Sequence, residues 1–76
     1  MFVKVRYHKP ALGAYAGAEY LYRTELPLVI GDRVIAPTAK EPLTRAIVTA
    51  VNAEEPPFVC RVITDYDLNA EIVSVD

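Results

Sequence analysis

The 76-residue chain has no tryptophan, one cysteine, three glycines and one histidine. Each scarcity removes a class of chemistry. With Cys60 alone, no intrachain disulfide can form, and zinc sites built on cysteine clusters are excluded. The glycines form no phosphate-cradling loop and no dinucleotide fingerprint. No apolar run approaches the ~20 residues of a membrane-spanning helix, so no membrane partner is expected. The opening MFVKVRYHKP puts charges where a signal peptide carries its apolar segment. Small secreted domains lean on disulfides, so this chain is expected in the cytoplasm.

A basic excess is also missing. Eight Lys and Arg face ten Asp and Glu, for a net charge of −2. The balance is uneven along the chain. Residues 1–18 hold Lys4, Arg6 and Lys9 and no acid, whereas residues 53–76 hold six acids against Arg61. A general nucleic-acid binder would show a basic footprint. A mixed solvated surface is the simpler account of these charges.

What is present is apolar residue, 53% of the chain, enough for one globular domain. A domain this small gains little from its core alone. It must curl its sheet tightly, associate with itself, or both. The clearest local instruction is Leu28-Val-Ile-Gly-Asp-Arg-Val-Ile-Ala-Pro37. Gly31 accepts positive φ, Asp32 bonds neighbouring amides, and Pro37 closes the strand that follows.

Strands are expected at Phe2–Tyr7, Glu19–Thr24, Arg33–Ala36, Phe58–Thr64 and Glu71–Val75. In the first, Val3, Val5 and Tyr7 share one face, and Lys4 and Arg6 the other. Leu28–Ile30 is expected to pass under the sheet. Residues 10–18 read as a flexible surface loop, with a short helix as the alternative. Residues 43–52 read as a strand because Ile47, Val48, Thr49 and Val51 are β-branched; a helix sharing Leu43, Ala46, Ile47, Ala50 and Val51 is the alternative. Residues 38–42 form a polar hairpin loop, 52–57 a turn, and 65–70 a short helical turn. The fold class is mainly β: a small SH3-like barrel of five or six mostly antiparallel strands in one domain spanning 1–76.

Catalytic signals are poor, and the chain is not expected to be an enzyme. Cys60 lies in an ordinary strand sequence and reads as a buried small hydrophobe. His8 reads as a solvated residue at a strand end. Glu54-Glu55 and Asp65 with Asp67 lack the further oxygen ligands of a calcium loop, and no cofactor, metal or small-molecule substrate is indicated. The five tyrosines are the unusual feature. Tyr20 and Tyr22 read as core. Tyr15, on the Gly-Ala stretch, is the leading candidate for a surface contact.

The pattern Tyr20-x-Tyr22-x-Thr24, Leu26-x-Leu28, Gly31-Asp32-x-Val34-x-Ala36-Pro37 and Ala46-Ile47-Val48-x-x-Val51 resembles small bacterial and prophage-encoded proteins of unknown function with an SH3-like barrel. The segment from Cys60 to Asp67 extends the likeness to about two thirds of the chain. The strand–turn–strand part also resembles the N-terminal DNA-3′-end-binding domain of the primosomal replication helicase. The basic loop that follows Pro37 in that domain is replaced here by Thr38-Ala-Lys-Glu-Pro. These resemblances imply a non-enzymatic binding or accessory module, encoded by a phage or mobile element, that engages protein or another copy of itself. The alternative is a nucleic-acid-binding module using Lys4, Arg6, Lys9, Arg23 and Arg33.

Overall fold

The computed structural model describes residues 1–68, and every regular element among them is a strand. The strands are β1 (Phe2–Lys9), β2 (Ala14–Tyr15), β3 (Tyr20–Thr24), β4 (Arg33–Ile35), β5 (Arg45–Ala53), β6 (Val62–Ile63) and β7 (Asp65–Tyr66). The count exceeds the expected five or six because the short pairings at β2 and β7 add strands. The sheet order is β6-β3-β1-β5-β4-β7, with β2 paired to β1. β6 and β7 stand at opposite ends of that order, yet only Thr64 separates them in the chain. The sheet therefore curls until its two edges meet at one residue, forming a nearly closed barrel.

Alternation along the strands fills this barrel. Val3 and Val5 of β1, Tyr22 and Thr24 of β3, Val34 of β4, Ala46 and Val48 of β5 and Ile63 of β6 are all buried. Lys4 and Arg6 stand outside, as the period of two requires. Burying each of these valines contributes roughly 1.5–3 kcal/mol. Thr24 is the polar member of the interior and is satisfied twice. Its Oγ1 donates to the Ile63 carbonyl at 2.9 Å and accepts from the Leu26 amide at 3.0 Å. That hydroxyl reinforces the parallel β3–β6 pairing, the sole departure from antiparallel geometry among the described ladders.

The strand reading of residues 43–52 holds from Arg45, where β5 begins, and Leu43 lies in the preceding turn. Against β1 the register slips twice, between Phe2 and Lys4 and between Lys4 and Val5. Asn52 takes φ 55° where β5 leaves register, a conformation that asparagine tolerates better than branched residues. Such irregularities coil a long strand and help the barrel close. The Gly31 turn forms as its residues dictate. Gly31 has φ 98°, and Asp32 Oδ2 accepts the Val29 amide at 3.0 Å. The turn then locks onto β5: the Gly31 amide donates to the Val48 carbonyl at 2.9 Å, and the Val48 amide to the Asp32 carbonyl at 2.8 Å. The 38–42 loop closes through a Thr38 amide to Glu41 carbonyl bond of 2.9 Å.

Five expectations are corrected. Residues 10–18 form no helix, and their loop is interrupted at Ala14–Tyr15, where β2 pairs with β1 through His8 opposite Tyr15. Their tight turn has the Leu12 amide on the Lys9 carbonyl at 2.9 Å. Of Leu28–Ile30 only Leu28 goes under the sheet; Val29 and Ile30 are exposed at the turn. Phe58–Arg61 is not strand. Pairing there begins only when the Arg61 carbonyl accepts the Arg23 amide at 2.9 Å, and Val59 is 97% exposed. Cys60 is accordingly half-buried rather than sealed in a core. Asp65 and Tyr66 are extended, held against Ile35 and Val34, so the helical turn does not start there. The strand expected at Glu71–Val75 lies outside the described residues.

Candidate functional site

The tyrosines converge at one end of the barrel. Tyr20 pairs with Val5, and Tyr22 with Val3, so both belong to the inward parity of β3. Tyr22 reaches the interior, but Tyr20 lies farther toward the barrel mouth and is 46% exposed. The core assignment therefore holds for Tyr22 and fails for Tyr20. The Tyr20 ring stacks on Tyr7, with centroids 4.6 Å apart and planes 13° from parallel. Tyr7 meets Tyr22 edge-on at 6.5 Å. Aromatic pairs in these geometries gain about 0.5–1.5 kcal/mol beyond area burial.

Hydroxyls fix this stack. Tyr22 donates to the Pro37 carbonyl at 2.8 Å. That uses its one proton, so Tyr7 donates to Tyr22 across their 2.7 Å contact. Burial, reinforced by the Tyr7 hydroxyl, raises the Tyr22 phenol far above the ordinary tyrosine range. The chain Tyr7 to Tyr22 to Pro37 links β1, β3 and the end of β4 and keeps the Tyr7 ring rigid beneath Tyr20.

Two grooves meet at the stack. One, of about 440 Å³, is bounded by Tyr7, Tyr20 and Tyr22 on one side and Phe58, Val59 and Arg61 on the other. The second, of about 580 Å³, runs from the same Tyr7 and Tyr20 to His8, Lys9, Thr38, Lys40 and Thr44. Lys9 Nζ lies 6.0 Å from the Tyr7 ring centroid, at the limit of a cation–π contact. Among the described residues, no carboxylate lines the second groove. The nearby Glu41 turns its Oε1 to the Leu43 amide at 3.2 Å. A rigid aromatic platform thus has a basic flank on one side and, on the other, a mixed flank where Phe58 and Val59 stand with Glu19 and Arg61.

The candidate partner residues fall on separate parts of this surface. Tyr15 is half-buried, its ring meeting His8 edge-on at 5.1 Å across the β1–β2 pairing. Lys9 reaches the second groove. Lys4, Arg6, Arg23 and Arg33 lie on the outer face of the sheet. Arg6 and Arg33 both register with Ile47 from opposite sides, which sets their backbones roughly 10 Å apart, two strand spacings. Arg23 pairs with Phe2 at the far end of β1. Phe58, Val59 and Lys40 were not legible as site residues. The first two sit in a β-prone sequence, and Lys40 gains meaning only beside Tyr20.

Among the described residues, no group of three His, Cys, Asp or Glu side chains is placed to hold a metal ion, and no helix is long and apolar enough to cross a membrane. No protein-family model, curated protein or solved structure matches the chain.

Proposed function

We propose that the chain is a non-enzymatic binding module that captures an extended, proline-bearing peptide across the Tyr7–Tyr20 stack. The observation that carries this is Tyr20: an exposed ring on a barrel of this size, held flat on a second ring that is itself hydrogen-bonded in place. Flat, rigid aromatic surfaces suit polyproline II segments, whose ordering cost is largely met before binding. Grooves on both sides give such a peptide a path, and the rings would contribute most of its contact. A titration of the isotope-labelled chain with proline-rich decapeptides of acidic, neutral and basic character tests this. Amide shifts should move at Tyr7, Lys9 and Tyr20 and stay fixed in Tyr20→Ala. If none of the peptides moves them, the groove is not a peptide site.

A second reading is supported by the row Arg6, Ile47, Arg33 on the outer face. Together with Lys4 it forms a basic strip that would meet nucleic-acid phosphates. It is separate from the groove, so the two readings answer to different variants.

A further inference from the structure

We infer that the basic groove of one copy takes the acidic Glu54-Glu55-Pro56-Pro57 segment of a second copy of this chain. This rests on the peptide-groove reading and supplies its occupant. Pro56 and Pro57 fix φ near the polyproline II value, and Pro56 pushes Glu55 into extended backbone. Glu54 to Pro56 is therefore preset in the form an aromatic groove accepts, before the chain bends at Pro57 and Phe58. Glu54, Glu55 and Pro57 are exposed, and Phe58 and Val59 beside them are 62% and 97% exposed. Large exposed apolar side chains beside such a segment mark an interaction surface.

Charge selects the match. The groove carries Lys9, Lys40 and His8 around Tyr20, with no carboxylate in its lining among the described residues. The segment carries two adjacent carboxylates and no base. The prolines would lie on Tyr20 while the glutamates face Lys9 and Lys40.

Within one molecule the segment and the basic groove are distinct patches. The segment leaves β5 after Ala53, which pairs with Phe2 at one end of β1. The groove begins at Tyr7, His8 and Lys9, the other end of the same strand. Phe58 and Val59, directly after the segment, face Tyr7 and Tyr20 across the neighbouring groove of the same molecule, while none of residues 54–57 lines the basic groove, so the segment is left for the groove of a second copy. Two different patches then make a heterologous contact between copies.

The test uses two double variants of the full chain and sedimentation or light scattering across a concentration series. The unaltered chain should show mass rising above one copy as concentration increases. Lys9→Glu with Lys40→Glu should weaken that association by roughly tenfold or more, as should Glu54→Lys with Glu55→Lys, since each sets like charges face to face. Mixing the two variants should restore association, because each groove then meets an arm of opposite charge; a variant that merely folds poorly would not be rescued this way. A chain that stays single at every concentration, or a mixture that does not recover, overturns self-docking. If groove amides still move with proline-rich decapeptides in that case, the peptide-groove reading stands without it; if they do not, both fall. Stronger groove shifts with a single-stranded oligonucleotide than with a peptide spanning residues 52–59 would also overturn it.

Discussion

Arg45 Nε lies 2.6 Å from Asp67 Oδ2, and this ion pair spans β4 to join β5 to the residue that follows β7. Asp67 is buried, with a side chain 2% exposed, while Arg45 keeps 34%. The hydrogen bond to Asp67 holds the Arg45 guanidinium even more firmly protonated than usual. The Asp67 amide also donates to the Arg33 carbonyl at 2.9 Å. The last described segment is thus fastened to the sheet by side chain and backbone together.

Removing one partner of this pair should cost more than neutralising it in place. Arg45→Met removes the guanidinium from a buried carboxylate and should destabilise by about 1–3 kcal/mol, below the full cost of a buried pair because Arg45 is partly solvated. Asp67→Asn keeps an acceptor of the same shape and should cost less. Chemical denaturation of both single variants and the double variant would give a coupling energy. Strict additivity would show that the pair contributes nothing beyond its packing.

Tyr22 makes a second stability prediction with a sign. Its folded phenol is raised above the unfolded value of about 10. The unfolded chain therefore loses this proton first as pH climbs. The stabilisation is fully present below about pH 10 and is lost as pH rises further toward the folded value. Tyr22→Phe should remove that alkaline slope. It should also cost about 1 kcal/mol at neutral pH, by leaving the Pro37 carbonyl without its donor and Tyr7 without its acceptor. An unchanged slope above pH 10 in Tyr22→Phe would assign the alkaline loss to other groups.

The Gly31 turn separates backbone strain from steric clash. A Cβ built at Gly31 meets nothing within 4 Å, while φ is 98°. Gly31→Ala should therefore cost about 1–2 kcal/mol from conformation alone, and Gly31→Val more, because branching at positive φ is worse tolerated. Asp32→Asn should cost little, since an amide oxygen can still accept the Val29 amide. Thermal melts that rank Asp32→Asn as the more damaging change would put the strained position elsewhere.

The barrel was legible where local physics is decisive. Val3 and Val5 alternate with Lys4 and Arg6, and the structure buries and exposes them in that order. Gly31-Asp32 demanded a turn, and β-branching over Ile47–Thr49 outweighed the helical pattern of 43–52. Phe58–Arg61 failed for the opposite reason. Its composition favours strand, but pairing needs a neighbour, and the neighbour that β3 offers is a parallel edge beginning at Arg61. Strand propensity reports a fit to a half-buried surface rather than a partner. Tyr20 and Tyr22 share parity, so alternation cannot distinguish the ring inside the barrel from the ring at its mouth. The candidate site depends on that difference. Its basic flank joins Lys9 and Lys40 from distant parts of the chain, a juxtaposition that only the closed sheet creates.

The outer basic strip yields the prediction that separates peptide from nucleic acid. Phosphate binding draws its affinity from counterion release and so weakens steeply with salt, with a slope near one for each phosphate met. Lys4 and Arg6 alternate with buried residues on β1, and Arg33 joins them across Ile47. Arg23 lies toward the Phe2 end, where it shares a cleft with Glu55. Glu19, bonded to the Thr49 hydroxyl, adds an acid beside the strip. With Arg33 only half-exposed, the strip would meet at most two or three phosphates, which predicts a salt slope of no more than about 2–3 and weak binding at physiological ionic strength. Fluorescence anisotropy with short single- and double-stranded oligonucleotides measures this directly. Arg6→Glu with Arg33→Glu should abolish whatever binding exists and leave the proline-peptide shifts at Tyr20 unchanged. Tight, salt-steep oligonucleotide binding that the same double change destroys, in a chain whose groove ignores every peptide, would make the outer face the functional surface.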